Sequence, residues 1–238
     1  MALAASQAAI GQPLGRHDLV DSDGQPVSLD RYRGRPLVIS LIYTSCSETC
    51  PLVTQALYRA VKTGREALGA ASFAVVTVGF DAMADTPERM RAYAAAQGVD
   101  LPDWAFLSGD HAAIDSLTTA LGFLYASSPK GFDHVTQTTI VDAAGTIYTH
   151  IYGAEFDPPT LVETLKDLVF GRHGAIASWS GLMDRVRLIC TVYDERTGRY
   201  IFDYSIFVGL AIGAASLAGI AVVLVRGWLR TRAPRPSG

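Results

Sequence analysis

The stretch PLVISLIYT, residues 36–44, followed at once by SCSETCPLV, residues 45–53, decides the fold. The first half is an unbroken apolar run rich in β-branched and aromatic residues, which is typical of a strand buried on both faces. The second half places Pro51 at a favourable first helical position, and apolar residues then recur at helical spacing with basic residues such as Arg65 opposite them. A buried strand that runs directly into an amphipathic helix predicts an α/β fold.

Strands and helices continue to alternate along the next part of the chain. FAVVTVGF, residues 73–80, predicts a second buried strand, and Thr86 and Pro87 open a helix after it. Another helix begins after Asp110, a hairpin follows over 135–152, and a last helix ends near residue 171. The predicted order β-α-β-α-α-β-β-α describes an α/β sandwich with the first parallel strands at its centre.

One segment near the C-terminus is long enough to cross a membrane. Residues 205–225 contain no charge over 21 positions, which at ~1.5 Å rise per residue spans a hydrocarbon core of ~30 Å. We therefore predict one transmembrane helix there. More arginines follow this helix than precede it closely, so the positive-inside rule predicts a cytoplasmic C-terminus and an exported body.

Composition limits the remaining possibilities for the body of the chain. Hydrophobic residues make up 49% and charged residues 18%, a balance that excludes a disordered chain. Outside the C-terminal tail, acidic residues outnumber basic ones, which argues against a nucleic-acid partner.

The chain therefore divides into five predicted parts. Residues 1–10 are either the remnant of a signal peptide or a flexible N-terminus. The first alternative is supported by small residues at the positions that a signal-peptide cleavage site requires. Residues 11–171 form the folded domain, 172–204 a connector, and 205–225 the transmembrane helix. A basic cytoplasmic tail, residues 226–238, completes the chain.

Two of the three cysteines, Cys46 and Cys50, stand four residues apart where the first strand meets its helix. The N-terminus of a helix favours thiolates, so we expect both sulfurs to ionise easily. Thiolates attack disulfides and also bind soft metals, so redox chemistry and metal binding both remain open, as does a small structural disulfide. Cys190, just before the membrane segment, is expected to be a small buried hydrophobe.

A third ligand would favour a metal site, and His134 is the best placed of the five histidines. It follows Asp133 directly before the predicted hairpin, so it should lie at the mouth of a strand. Asp133 either orients the imidazole of His134 as a hydrogen-bond acceptor or shapes the turn.

Four motifs in succession resemble those of the Sco/SenC family, copper-binding proteins with a thioredoxin-like fold. The motifs are TSCSETCP at 44–51, FDAMADTPERMRAYA at 80–94, WAFLSG at 104–109 and FDHVTQTTIVD at 132–142. The resemblance implies a thioredoxin-like three-layer sandwich with a central sheet. It also implies a copper ion, Cu(I) or Cu(II), bound by Cys46, Cys50 and His134.

Together with the predicted transmembrane helix, the resemblance implies a membrane-anchored copper metallochaperone that delivers copper to the copper A centre of cytochrome c oxidase. Its partners would be the oxidase subunit that carries this centre and other copper chaperones. The soluble domain would face the periplasm from the bacterial inner membrane. A metallochaperone is not an enzyme, but an alternative remains: a thiol-disulfide oxidoreductase, with Cys46 and Cys50 as its redox pair, that reduces the cysteines of the oxidase copper site.

Overall fold

The apolar segments 36–44 and 73–80 form neighbouring parallel strands in the middle of a seven-stranded sheet. The computed structural model describes residues 1–129, 131–170, 191–194, 197, 199–202 and 205–231. The strands of this sheet and of a small hairpin beside it are β1 (Asp18–Asp21), β2 (Pro26–Ser28), β3 (Leu37–Ile42), β4 (Ala74–Gly79), β5 (Trp104–Ser108), β6 (Tyr125–Ser128), β7 (Gly131–His134), β8 (Gln137–Val141) and β9 (Ile147–Tyr152).

Five helices accompany these strands, together with a short 3-10 helix. They are α1 (Ala2–Ala9), the 3-10 helix (Leu29–Tyr32), α2 (Thr49–Leu68), α3 (Pro87–Ala96), α4 (His111–Ala120) and α5 (Pro158–Phe170). The predicted caps are present: Thr86 accepts a hydrogen bond from the backbone N–H of Arg89, and Asp110 accepts one from Ala113.

The sheet has the strand order β2-β1-β5-β4-β3-β8-β9. Strands β3, β4 and β5 are parallel, and the outer strands are antiparallel to their neighbours. The parallel centre and the late hairpin were expected, but β5 was not, and neither were β1, β2, β6 and β7. These five strands are three to five residues long, so none carries enough periodicity to be recognised alone.

Helices cover both faces of the sheet, which confirms the predicted sandwich. On one face Tyr58 of α2 packs on Trp104 and Tyr93 of α3 packs on Phe106, and α5 packs against α2. On the other face Phe80, directly after β4, contacts Phe123, three residues after the end of α4. The carboxyl ends of β3 and β4 and the N-terminus of α2 therefore meet at one edge of the sheet.

Residues 2–9 belong to the folded domain, although the sequence left a flexible N-terminus open. The backbone carbonyl of Ser6 accepts a hydrogen bond from Nε2 of His150 at 3.0 Å, and the Ser6 hydroxyl lies 2.8 Å from that of Tyr152. The backbone N–H of Gly11 donates to Ile147 at 2.8 Å. The segment thus covers the edge strand β9, which would otherwise present unpaired backbone groups. Whether residues 1–10 are a signal-peptide remnant stays a prediction.

The described residues from 191 onward form a separate unit. Strands β10 (Thr191–Asp194) and β11 (Arg199–Phe202) make an antiparallel hairpin within the region predicted as a connector. Helix α6 (Ser205–Thr231) contains the predicted membrane segment, and Phe207–Arg226 has a mean hydropathy of 2.5 with none of it buried. Cys190 and the tail beyond residue 231 lie outside the described residues.

Candidate metal centre

Cys46 and Cys50 lie together between the end of β3 and the first turn of α2. Cys46 is half-buried, Cys50 is only 2% exposed, and no disulfide joins them. The sulfur of Cys46 accepts the backbone N–H of Cys50 at 3.3 Å. The Cys46 sulfur therefore satisfies a backbone donor that the start of a helix leaves without a partner.

The two thiols differ in acidity. Partial burial by itself raises the pKa of Cys46, but hydrogen bonds from the backbone N–H groups of Cys50 and Glu48, and from the Cys50 thiol and the Tyr43 phenol, outweigh it and lower that pKa. Burial raises the pKa of Cys50 far above its usual range, and the neighbouring Cys46 adds to this effect. The expectation that both sulfurs ionise easily is therefore wrong for Cys50, because burial outweighs the helix terminus there.

Asp85 fixes the loop that carries the cysteines, a role that the sequence did not reveal. Its carboxylate is 2% exposed and accepts the backbone N–H of Thr44 at 2.8 Å and the Thr44 hydroxyl at 2.7 Å. It also accepts the backbone N–H of Asp81 at 3.0 Å. Burial raises the pKa of Asp85, and this effect outweighs the hydrogen bonds from Thr44 and Asp81, which lower it. The carboxylate ties the loop after β3 to the loop after β4, and it is too buried to contact a partner protein.

His134 ends β7, which pairs with β6 beside the main sheet. Its half-buried ring packs against Phe123, Phe80 and Tyr43, with ring centroids 5.2, 5.4 and 6.3 Å away. Nδ1 lies 3.2 Å from the backbone carbonyl oxygen of Val135. A carbonyl only accepts, so Nδ1 carries the proton in this contact and the Nε2 lone pair is available to a metal.

In this structure the acceptor for the His134 ring is the carbonyl of Val135, and the orienting role that the sequence left open for Asp133 stays a prediction. Adjacent residues in a strand point to opposite faces, and Asp133 is the exposed one of the pair. Two other histidines are committed elsewhere: the ring nitrogens of His17 and His150 contact protein oxygens inside the domain. His111 is exposed on α4 beside Asp115.

The structure brings the two cysteines together, but it does not place His134 close enough to form a three-ligand metal site with them. Across residues 1–129, 131–170 and the described part beyond them, no group of three or more His, Cys, Asp or Glu side chains is placed to hold one metal ion. A cleft of about 390 Å³ lies over the cysteine loop, and its lining includes Tyr43, Cys46 and Glu48. Tyr43 contacts both parts, because its ring packs on His134 and its backbone carbonyl accepts the N–H of Cys46 at 3.1 Å.

The donor set suits copper chemically. Two sulfurs are preferred ligands of Cu(I), and an added imidazole also accommodates Cu(II). Cys46 is accessible and readily ionised, and His134 presents a free Nε2 at the same edge of the sheet. The assignment of Cys46, Cys50 and His134 as ligands stays a prediction.

Comparison with known proteins identifies the family. A family model described as SCO1/SenC matches residues 6–170. No curated protein sequence matches the chain. A solved protein from Aquifex aeolicus VF5 is 26% identical with a TM-score of 0.62, and the match covers 70% of this chain and 98% of that one.

Two further solved structures share the fold. Bradyrhizobium japonicum ScoI, solved with copper bound, is 23% identical over 67% of this chain and 99% of its own, with a TM-score of 0.57. BsSco, described as a member of the Sco family of cytochrome c oxidase assembly proteins with a disulfide switch, is 20% identical over 66% and 93%, also with a TM-score of 0.57. These likenesses confirm the thioredoxin-like sandwich, and the family match over most of the folded domain shows that the chain belongs to the SCO1/SenC family.

Proposed function

We propose that this chain is a membrane-anchored copper metallochaperone that delivers copper to the copper A centre of cytochrome c oxidase. The observation that carries the proposal is the pair of adjacent cysteine sulfurs at the N-terminus of α2, with His134 at the same edge of the sheet and its Nε2 free. A relative of the same fold is solved with copper bound, and another is described as an oxidase assembly protein.

Copper is the cargo of this protein, and its proposed ligands are Cys46, Cys50 and His134. The sulfur of Cys46, the less buried of the two cysteines, is the point at which copper enters and leaves. Glu48 is exposed beside it and places a negative charge at the cleft, which favours the approach of a cation. Burial raises the pKa of Cys50 and keeps its thiol protonated in the metal-free protein, so copper binding should release a proton from this buried thiol.

Transfer to an acceptor requires ligand exchange and no covalent chemistry on a substrate. An acceptor thiolate or imidazole binds the metal while one donor ligand leaves, and a site with few, accessible ligands speeds that exchange. In this role the protein is not an enzyme. Its partners are the oxidase subunit that carries the copper A centre and other copper chaperones that supply the metal.

The C-terminal helix supports a membrane-tethered location. Phe207–Arg226 is long and apolar enough to cross a bilayer, and more basic residues follow it than lie close before it. We infer that the domain faces the periplasm from the bacterial inner membrane and that the C-terminus is cytoplasmic. The tether keeps the site beside a membrane-bound acceptor.

The second candidate is a thiol-disulfide oxidoreductase, and the unequal acidity of Cys46 and Cys50 supports it. The Cys46 thiolate attacks a target disulfide, forming a mixed disulfide and releasing one target thiolate. Cys50 then gives up its proton and attacks the Cys46 sulfur, which releases the second target thiolate and leaves a Cys46–Cys50 disulfide. Two electrons pass from the protein to its target, here the cysteines of the oxidase copper site.

Copper titration of the reduced full chain in detergent micelles tests the first proposal, with X-ray absorption to count sulfur and nitrogen donors. We expect His134→Ala to lose the nitrogen donor and weaken Cu(II) binding. His111→Ala is the matched control, because this histidine is 77% exposed on α4 and should leave binding unchanged. An unchanged Cu(II) affinity and spectrum in His134→Ala would refute the three-ligand site.

A redox assay separates the second candidate from the first. The metal-free protein is mixed with a peptide disulfide, and thiol release is followed for wild type and His134→Ala. Exchange that needs no metal and survives the loss of His134 favours the oxidoreductase. Exchange that is negligible while copper binds with three donors favours the metallochaperone.

A further inference from the structure

Tyr93 of α3 reaches the second turn of α2 through a hydrogen bond inside the domain. Tyr93 and Thr54 are 7% and 1% exposed, and their hydroxyl oxygens lie 2.9 Å apart. The Thr54 hydroxyl also lies 2.9 Å from the backbone carbonyl oxygen of Cys50, one turn earlier in α2. Because a carbonyl only accepts, the single proton of Thr54 goes to Cys50, and Tyr93 therefore donates its own proton to Thr54.

The chain of hydrogen bonds continues through Cys50 to the Cys46 sulfur. The backbone N–H of Cys50 donates to Cys46 Sγ at 3.3 Å. Both backbone polar groups of Cys50 are therefore engaged by side chains, the N–H by the other cysteine and the carbonyl by Thr54. Through Thr54, a phenol on a neighbouring helix is joined to the candidate metal centre.

The segment that carries Tyr93 also holds the other end of the cysteine loop. Asp85, two residues before α3 begins, accepts the backbone N–H and the hydroxyl of Thr44 at 2.8 and 2.7 Å. Thr44 precedes the first cysteine of the pair by two residues, and Thr54 follows the second by four. Residues 85–93 therefore bind the chain on both sides of the two cysteines.

We propose that Tyr93 is a positioning residue for the cysteine pair, because its hydroxyl, through Thr54, holds the backbone of Cys50 and keeps that thiol inside the domain. We call the hydrogen bonds from Tyr93 to Thr54 and from Thr54 to Cys50 the Tyr93 link. Cys50 is only 2% exposed although it is the second residue of α2, and helix ends fray unless other contacts hold them. The link rests on the proposed function for its purpose, since a site is more effective when its groups are held in place before the ligand arrives.

The Tyr93 hydroxyl can be removed without the ring. Tyr93→Phe keeps the aromatic contact with Phe106, whose ring centroid is 6.3 Å away, and it leaves no buried donor without a partner because Thr54 still donates to Cys50. Thr54→Val removes both hydrogen bonds and leaves the buried Tyr93 hydroxyl without its partner. The two substitutions therefore break the link at different points.

The rate at which a reagent modifies the Cys50 thiol measures the link without any metal. The parent protein is the reduced full chain with Cys46→Ser in detergent micelles, so that modification of the first cysteine cannot disturb the second. Iodoacetamide is added, and mass spectrometry follows the peptide that contains Cys50. We expect Tyr93→Phe to raise the rate roughly five- to tenfold, the effect of one lost hydrogen bond.

Tyr58→Phe is the matched control, because the Tyr58 phenol is also on α2 and donates to the Asp100 carboxylate at 3.2 Å at an exposed position. It removes one hydrogen bond from the same helix and should leave the modification rate of Cys50 unchanged. An unchanged rate in Tyr93→Phe, or an equal increase in Tyr58→Phe, would overturn the proposal.

The urea dependence of the rate separates local positioning from overall stability. Opening of one helical turn exposes little surface, so a rate that depends on it hardly changes with urea, whereas a rate that depends on global unfolding rises steeply. Below the unfolding transition, Tyr93→Phe should raise the Cys50 rate by the same factor at each urea concentration. An increase that follows global unfolding instead would show a merely structural role and overturn the proposal.

Substitutions of Thr54 test the middle of the link. Thr54→Ser keeps a hydroxyl and should stay close to the parent rate, whereas Thr54→Val should accelerate modification of Cys50. Part of the effect of Thr54→Val comes from the Tyr93 hydroxyl left without a partner. Combining it with Tyr93→Phe should therefore give less than the product of the two single effects. Equal rates for the serine and valine variants, or a full product in the double variant, would contradict the link.

The outcomes for the link and for the proposed function are separable. If the unmodified full chain fails to bind copper while Tyr93→Phe exposes Cys50 locally, the metallochaperone proposal falls and the link stands. If copper binds through three donors but Cys50 is modified equally fast with and without the Tyr93 hydroxyl, the link falls and the metallochaperone proposal stands.

Discussion

Replacing Cys46 by serine should leave the reduced protein nearly as stable as wild type, whereas replacing it by alanine should not. The Cys46 sulfur accepts the backbone N–H of Cys50 in the first turn of α2 at 3.3 Å. A serine hydroxyl is among the best helix-capping groups, but alanine offers no acceptor. We expect Cys46→Ala to lower the free energy of unfolding by about 1 kcal/mol and Cys46→Ser by less than about 0.5 kcal/mol. Both should lose copper binding.

The measurement is urea unfolding of the full chain in detergent micelles, followed by circular dichroism in reducing buffer. Reducing conditions are needed because a Cys46–Cys50 disulfide closes a loop of about five residues, which by chain entropy stabilises wild type by ~2 kcal/mol. Both variants lack that cross-link, so in an oxidising buffer each would also lose the ~2 kcal/mol of the disulfide relative to wild type, and even the serine variant would be clearly less stable than wild type. Equal losses for the two variants in reducing buffer would refute the capping role of the sulfur.

Three further predictions follow from burial and hydrogen bonding. In the reduced, metal-free protein, iodoacetamide should modify Cys46 at least ~100-fold faster than Cys50, because Cys50 is buried and its pKa is raised. Equal modification rates of the two cysteines, measured by mass spectrometry, would contradict this difference in reactivity. Burial lowers the pKa of His150, so the folded state favours the neutral imidazole. The free energy of unfolding should therefore fall as the pH drops below ~6.5, the pKa of histidine in the unfolded chain. This part of the pH dependence should be missing in His150→Gln. Arg65 is 8% exposed, and none of its three guanidinium nitrogens has a hydrogen-bond partner in the described structure. Arg65→Met should therefore raise the free energy of unfolding, measured by urea titration, by about 1 to 3 kcal/mol. A lower free energy of unfolding would show that the contact of the guanidinium with the Phe73 ring outweighs the cost of burying it.

The sequence was sufficient where the physics is local. The unbroken apolar run of β3 and the helical spacing after Pro51 depend on neighbouring residues, so the strand, the helix and the cysteines between them were predictable. The same holds for the caps Thr86 and Asp110 and for the charge-free segment that became α6. The Sco/SenC motifs were confirmed by the family match.

Other features depend on contacts between distant parts of the chain. Strand β5 is too short to be recognised, and it is held by pairing with β4 and β1. Arg65 was expected on the solvent side of α2, but the helix packs closely enough on its neighbours to bury that side chain as well.

The properties of the site belong to this second group. Which cysteine ionises depends on how deeply each is buried and on which donors surround it, and spacing in the chain contains neither quantity. The Val135 carbonyl and the Asp85 carboxylate were not predicted in their roles for the same reason. Residue types and periodicity predict where elements form, whereas acidity and hydrogen-bond partners arise only when those elements are packed together.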